Sequence, residues 1–534
     1  MDAVDEPESV PLTEVKSLLA TDNNNKEDTD DDGPIEHVSD LIGSWGPFQR
    51  RIFVLAILVY AVSPFSNASI DYYMIKSDFW CENSASQPIS QPRSCDVKSC
   101  DRWVHNTTRT TLIKEWDLVC DRFWIASLAL SSYQLGYLIS CLVIGIISDR
   151  FGRRFAMMIC LIGEISCFFA GAMTKSIEIF IVTRFISGIG GYGRFLAMMC
   201  MLVETVGPKL RGKIVAAYEW IWHVGLLLML LVTYFVENFR HLYYGIACYQ
   251  LFSLVLVYFK VPESIRWQLV TGKTESAQKT LDKFVRFDND EQRKVFQRKF
   301  DKLCEFLSKH NKKGEKSESI IDIWRVPRLL KYFLTLCVIW FVQTFFSHGM
   351  KYNTLDLSGN YFINMAMIKQ SSLLGNALVS WGVEKFNRKT ILFSCMLIAS
   401  ISLFSTIPLA DKYIFLRNSV LMIGNFVMAI SSVVNHVYTA ELFPTTMRQH
   451  ALGSCSISGR IGSISAPFIL QLNRYTSVQF TLSIFASLGI LGALMSLLLP
   501  ETRGKEIPDT VEDMIEITKK KENVSSEQEK GSLN

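Results

Sequence analysis

No phosphate-binding loop, no spaced set of zinc ligands and no nucleophile elbow occurs in the 534 residues. The usual sequence signs of an ATP-driven pump, a metalloenzyme or an acyl hydrolase are therefore missing, and neither metal nor cofactor is expected. The first forty residues lack the apolar core of a cleavable signal peptide; they are polar and acidic, and the first apolar run is too deep and too long to be one. A net charge of +4 is small and gives no basis for a nucleic-acid partner. Charge is also absent where its absence says most. Phe123 to Ser148 holds no charged residue over 26 positions, longer than the roughly 20 with which a helix crosses a hydrocarbon layer of about 30 Å.

What is present fits a bilayer. The chain is 49% hydrophobic with 35 Phe, more apolar than a soluble core of this size needs. Comparable runs begin near Arg51, Phe155, Ser176, Val215, Leu242, Leu329, Asn360, Ile391, Ile414, Ala451 and Val478, which makes about twelve spans. Lipid offers the backbone no hydrogen-bond partner, so runs this long are expected to be helices. The class is an all-α membrane protein. Basic residues (Arg150, Arg153, Arg154; Lys209, Arg211, Lys213; Lys385, Arg388, Lys389) fall in alternate connections, which places those turns and both chain ends in the cytoplasm.

The expected organisation is a disordered acidic tail over 1–44, a six-helix bundle over 45–261 with an external loop at 67–122, a cytoplasmic linker over 262–328, a second bundle over 329–500 and a tail over 501–534. Glu14 with Leu18-Leu19 resembles an acidic dileucine sorting signal, a pattern short enough to recur by chance. The external loop carries Cys81, Cys95, Cys100 and Cys120, enough for two disulfides in three pairings. It also carries glycosylation sequons at Asn67 and Asn106, Asn106 the more accessible; the sequon at Asn523 falls in a cytoplasmic tail. The linker, with 16 Lys or Arg against 11 Asp or Glu, reads as a solvated, partly helical tether near the anionic leaflet.

Charged turns recur in register. Gly145-Ile146-Ile147-Ser148-Asp149-Arg150-Phe151-Gly152-Arg153-Arg154 is echoed by Ser380 to Lys389, with Asp149 and Glu384 separated by 235 residues. Glu204 and Glu441, each followed seven residues later by Arg211 or Arg448, are separated by 237. Glu263 and Glu501 are separated by 238, and Arg184 and Arg417 by 233. Duplication follows, with two pseudo-symmetric six-helix bundles related by an axis along the membrane normal. Asp149, Arg150, Arg153, Arg154, Glu204, Arg211, Glu263, Glu384, Arg388, Glu441 and Arg448 form a candidate gate. Acids and bases at helix ends that pair when the bundles close and part when they rock bias a two-state equilibrium.

At these residues the chain resembles the major facilitator superfamily, whose signature is Gly-x-x-x-Asp-Arg-x-Gly-Arg-Arg after the second span. Within it the chain resembles the organic cation, organic anion and carnitine transporters, through the large first loop, Pro262-Glu263-Ser264-Ile265-Arg266-Trp267, Ala440-Glu441-Leu442-Phe443-Pro444-Thr445 and Pro500-Glu501-Thr502-Arg503-Gly504. The likeness covers about residues 40 to 517. It departs at Ile265, where that family usually has Pro, at Asn387, where the second turn usually has Gly, and in four loop cysteines where six are common. A divergent member with the major facilitator fold is implied.

Ionisable groups inside spans mark a cavity or a partner. Arg460, in Ser456-Ile457-Ser458-Gly459-Arg460, is a ready bidentate site for a carboxylate or sulfonate. The 237-residue offset sets His223 at the equivalent position of the first bundle. Glu219, Arg194, Glu164 and Lys369 complete the set, with Arg194 paired to Glu219, or Arg460 to Glu219, as structural alternatives. The resemblance implies that the position of Arg460 is acidic in cation transporters and basic in anion and carnitine transporters; Asn376 stands where anion transporters tend to carry a base. Trp340 and Phe346 are the aromatic candidates for a cavity lining, and His348 and His436 suggest either proton coupling or satisfied polar packing. The expected function is a plasma-membrane carrier, with an endolysosomal membrane as alternative, moving a small organic anion or zwitterion by alternating access. A proton or sodium ion is the candidate coupling partner. The rivals are an organic cation carrier with Glu219 as counter-ion and a non-transporting sensor.

Overall fold

The computed structural model describes residues 37–74, 78–82, 95, 100–284, 290–312, 326–353, 360–382, 385–409, 413–444 and 447–503. The tail with Glu14 and Leu18-Leu19, the candidate gate residue Glu384, Asn523 and the C-terminal tail from 504 lie outside the described residues. Helices α1 (Pro47–Tyr60) and α2 (Ser63–Tyr73) make one broken span. Pro64 in the first turn of α2 lacks the N–H that would continue the ladder from α1. The first span thus runs on to Tyr73, past residue 67 where the sequence places the loop. Its polar stretch is helical because Ser66, Ser69 and Asp71 are buried among other helices.

Five further helices complete the first half: α3 (Phe123–Phe151), α4 (Arg153–Met173), α5 (Ile177–Thr205), α6 (Pro208–Phe235) and α7 (Phe239–Lys260). After the short helices α8 (Ile265–Val270), α9 (Thr274–Asp282) and α10 (Asp290–Lys312) come six more. They are α11 (Pro327–Asn353), α12 (Tyr361–Gly382), α13 (Arg388–Ser405), α14 (Ile414–Leu442), α15 (Arg448–Ile469) and α16 (Val478–Ser496). Counting α1 and α2 as one, ten spans among the described residues are long and apolar enough to cross a membrane by length and composition alone; α12 and α15 are not among them. Those two carry Asn364, Lys369 and Asn376, and the Ser- and Gly-rich stretch around Arg460. They also make the most extensive helix contacts between the halves, α12 on α6 and α15 on α3. Polar side chains on them face the seam between halves, where lipid is excluded.

The packing is duplicated. In the first half α5 lies on α3 and α4, and α4 on α7; in the second α14 lies on α12 and α13, and α13 on α16. The broken first span packs on α6 as α11 packs on α15. Helices α5 and α14 are offset by 237 residues at both ends (414 − 177 and 442 − 205). Arg184 therefore corresponds to Leu421, and Arg417 lies one turn away. Close helix approach uses small residues: a Cβ on Gly136 of α3 would come 2.2 Å from the Phe185 carbonyl oxygen of α5.

Between α2 and α3 a small cap is built on β1 (Phe79–Glu82) and β2 (Arg102–His105), antiparallel with Trp80 opposite Val104. Two disulfides, Cys81–Cys100 and Cys95–Cys120, select one of the three pairings open to the sequence. Arg109 donates to the carbonyls of Thr233 and Tyr234, and Arg240 pairs with Glu115 at 2.6 Å, which docks the cap on α6 and α7. The linker differs from the tether expected. Leu281, Phe300 and Leu303 are buried with Phe48, Ile52 and Val261, so α9 and α10 pack under the first half through an apolar face.

Buried apolar clusters define the relation between the halves. At the cap end one cluster contains Met365 of the second half among first-half residues and packs against Tyr361 and Leu470. At the linker end the two clusters are separate, one wholly from the first half and its linker helices, the other wholly from the second. Polar contacts agree. Ser127 and Ser131 of α3 donate to the carbonyls of Pro467 and Ile464 of α15, Tyr361 donates to the Asp71 carbonyl, and Lys351 of α11 pairs with Asp71 of α2 at 2.5 Å. The halves are sealed toward the cap and parted toward the linker.

Candidate functional site

The charged turns at the linker end fold into two nearly identical clusters. In the first, Arg153 donates to Glu204 at 2.8 Å, and Glu263 accepts from the backbone N–H groups of Arg153 and Arg154 at 2.8 and 3.2 Å. Ser264 closes the ring by donating to Glu204, and Arg154 reaches the Tyr258 carbonyl. In the second, Arg388 donates to Glu441 at 3.1 Å, Glu501 accepts from the N–H groups of Arg388 and Lys389 at 3.0 and 3.2 Å, Thr502 donates to Glu441, and Lys389 reaches the Leu497 carbonyl. Glu263 and Glu501 each cap a helix N-terminus, α4 and α13, where orphan N–H groups and the helix dipole favour a carboxylate. Each cluster ties three stretches of one half together.

The remaining rim residues are peripheral to these rings. Asp149 makes an i,i+4 pair with Arg153 at 3.1 Å while staying 77% exposed. Arg150 lies over the Phe151 ring, Arg211 donates to the Val203 carbonyl, and Arg448 opens α15. Glu204 thus serves Arg153 rather than Arg211. The departure at Asn387 also has a physical reason. Gly152 has φ +107°, and a Cβ there would lie 2.4 Å from Glu263; Asn387 has φ −67° and needs no glycine.

Above the rim, in the parted region, Arg460 of α15 reaches across to the first half. Its guanidinium carbon stands 5.0 Å from the Tyr137 ring of α3 and 5.3 Å from the Tyr192 ring of α5. Half-buried, it makes no side-chain hydrogen bond or ion pair among the described residues. Glu219 of α6 is within electrostatic range and exposed, although it sits in mid-span. An exposed acid in the middle of a spanning helix marks a cavity open to water. Aromatic rings continue the wall: Tyr192 against Phe195 at 5.6 Å, Phe195 against Tyr218 at 5.8 Å, and Tyr218 stacked on Tyr60 at 4.1 Å. His436 is exposed on the opposite side, edge-on to Trp340 at 4.3 Å.

The other sequence candidates separate into three groups. Arg194 is corrected: it is 1% exposed and pairs with Glu164, not Glu219, at 2.9 and 3.2 Å, while its third contact is the Val59 carbonyl. Gln250 also donates to Glu164, so both charges of the pair are met by protein groups. Trp340 and Phe346 are packed in the second half. Trp340 is 6% exposed and donates its indole N–H to Thr439, and Phe346 is 0% exposed, packed on Gly489. His223 faces α12 rather than Arg460, accepting from the Asn376 amide across the seam. Lys369 is half-buried near the Asp71–Lys351 pair. His348 and His436 each set Nδ1 against the carbonyl four residues earlier, at 2.9 and 2.8 Å. Asn67 is corrected too: it lies in α2, half-buried and within reach of Tyr137, where no glycan can be attached, whereas Asn106 is exposed beside β2.

Two features escaped the sequence reading. Asp71 and Lys351 lie near span ends, where charges are usually loop residues, and only their meeting across the seam distinguishes them. Tyr137 and Tyr192 were ordinary aromatics; the guanidinium between them is the signal.

Comparison with known proteins gives a consistent result. The Major Facilitator Superfamily profile matches residues 124–467. The organic cation transporter protein of Drosophila melanogaster is 28% identical over 513 residues, covering 88% of this chain and 93% of its own. Organic cation/carnitine transporter 2 of Homo sapiens is 25% identical, covering 90% and 94%. Organic anion transporter 3 of Oryctolagus cuniculus is 27% identical over 78% and 76%. Among solved structures, the inward open xylose transporter XylE from E. coli superposes with a TM-score of 0.58 at 18% identity, covering 86% of this chain and 97% of that one.

Proposed function

Because the chain belongs to the major facilitator superfamily and is a multi-pass membrane transporter rather than an enzyme, we propose that its cargo is a small organic anion or carnitine-like zwitterion held at Arg460. The observation that carries this reading is the Arg460 guanidinium, unpaired in a cavity between two tyrosine rings. A planar fork of donors without a protein acid matches a carboxylate bidentately. Relatives named for organic cations, carnitine and organic anions support an organic ion as cargo. The exposed carboxylate of Glu219 and the wall from Tyr60 to Tyr218 would receive an ammonium group if the cargo carries one.

Transport proceeds by alternating access in this proposal, and the conformation described faces inward. The Asp71–Lys351 pair and the α3–α15 contacts are the outer gate, and the linker end is cytoplasmic, as the basic turns suggest. The bundles over 45–261 and 329–500 rock as bodies, each held rigid at its rim by its Arg–Glu ring. Solute or ion gradients drive the cycle, with a proton or sodium ion as coupling candidate, at the plasma membrane with both termini cytoplasmic.

A second reading rests on Glu219. It is exposed in the same cavity, and among the described residues it makes no ion pair within 4.0 Å. A quaternary cation would then be the cargo, with Arg460 repelling it until Glu219 is engaged. Uptake of labelled organic anions, carnitine-like zwitterions and quaternary cations into cells expressing the protein separates the readings. Anion or zwitterion uptake abolished by Arg460→Ala supports the first; cation uptake abolished by Glu219→Gln and retained in Arg460→Ala supports the second. Absence of any flux at normal surface expression would return the sensor reading.

A further inference from the structure

A cavity of about 710 Å³ opens on the second half between α12, α13 and α14, away from Arg460. Leu378, Val379, Ile391, Cys395, Ile430 and Val434 make its walls, and Lys385 and Arg503 stand at its linker-end mouth. The walls are apolar, and two of the lining residues, Leu378 on α12 and Phe386 in the turn before α13, are 50% and 62% exposed. The two bases are exposed and lie at the depth of the charged rim, where helix ends meet headgroups.

The register between the halves shows how the matching positions of the first half are packed. Adding the helix offset of 237, Ile430 and Val434 of α14 correspond to Gly193 and Ala197 of α5. In the first half these small residues let the helices close: a Cβ on Gly193 would lie 2.7 Å from the Cys160 sulfur and 2.8 Å from Ile144. The same region is further braced by Trp267 of α8, whose indole N–H donates to the Asp149 carbonyl at 2.7 Å. In the second half the β-branched residues prop α14 away from α13, and a void lined by hydrocarbon remains. An apolar void of this size beside a bilayer is a place for an acyl chain, since an empty one forfeits dispersion contact along its whole wall.

We propose that this cavity binds an anionic phospholipid of the cytoplasmic leaflet, one acyl chain entering between α13 and α14 and the phosphate meeting Arg503 and Lys385. Charge complementarity at the mouth selects the anionic headgroup, because bases near an anionic leaflet attract it and a zwitterionic lipid gains less. The lipid sits against the ring formed by Arg388, Glu441 and Glu501, so it supports the rim of the half that lacks packed linker helices.

The test uses full-length protein in vesicles of phosphatidylcholine doped with phosphatidylserine bearing a photoactivatable acyl chain, with labelled peptides mapped by mass spectrometry. Labelling on Leu378–Cys395 or Ile430–Val434, several-fold above that from photoactivatable phosphatidylcholine of the same chain, is expected. The double variant Lys385→Gln, Arg503→Gln should bring phosphatidylserine labelling down to the phosphatidylcholine level; both residues are exposed, so folding is not at stake. Leu378→Trp, which fills the entrance, should lower labelling by both lipids. Equal labelling of wild type by the two lipids, or labelling confined to other helices, overturns the proposal.

Discussion

The two halves are alike at the rim and unlike in the interior. At the rim, Arg153–Glu204–Glu263 and Arg388–Glu441–Glu501 repeat almost bond for bond. In the interior, the first half buries the ion pair Glu164–Arg194 with Gln250, whereas the register places Ala399 and Ser431 at the positions of Glu164 and Arg194 in the second. There the polar contacts are neutral, Asn435 donating to Gln343 at 2.7 Å and Trp340 to Thr439. The rim has kept one geometry because both halves need the same helix ends fastened. In the proposed transport cycle one half supplies the aromatic wall and the other the Arg460 guanidinium.

The largest effect expected from this contrast is at Glu164. Glu164→Ala leaves the Arg194 charge buried without its acid, at a cost of about 3 to 5 kcal/mol, read as lost expression or a lowered Tm in detergent. Ser431→Ala, at the matching place of the second half, should change stability by less than about 1 kcal/mol, since its hydroxyl has no partner among the described residues. Comparable losses would mean that the interiors are not functionally distinct.

Next comes the proposed ligand site. Arg460→Ala should reduce the apparent affinity for a carboxylate cargo by about ten- to a hundredfold, the equivalent of about 1.5 to 3 kcal/mol for charged hydrogen bonds. His223→Ala, one repeat earlier, should leave affinity nearly unchanged, because His223 is occupied by Asn376. Concentration-dependent uptake at equal surface expression decides it.

At the turns, Gly152→Ala should destabilise by about 1 to 2 kcal/mol from the positive φ alone, more if Glu263 cannot yield. Asn387→Ala should stay within about 0.5 kcal/mol. A thermal-unfolding series on the two variants sharpens the claim that only one turn needs glycine. The smallest stability change, a few tenths of a kcal/mol, belongs to Asp149→Asn, whose carboxylate is mostly exposed. It should slow turnover more than it weakens binding; altered substrate preference at an unchanged rate would remove Asp149 from the gate.

How much of this was legible beforehand follows from the physics of each signal. The rim charges interrupt apolar runs and recur at one spacing, so both position and pairing class could be read from the chain. The twelve spans could be read because lipid forbids unpaired backbone, although the polar α12 and α15 show that a span facing a seam weakens its own signal. Which side chain lines the cavity was not legible. A helix apolar on all sides has no face to read, so Trp340 and Phe346 looked as available as Tyr137 and Tyr192. Nor could the partner of Arg194 be chosen between Glu164 and Glu219, because helix-to-helix register is a tertiary property.

The linker helices have one further consequence. Since α9 and α10 pack by one apolar face under the first half alone, they form a handle fixed to a single moving body. A reporter group on exposed Lys302, paired with one on Tyr475 beyond α15, would register tilt of one half against the other as a change in distance. An antibody gripping α10 would ride along with the motion and leave the cycle running.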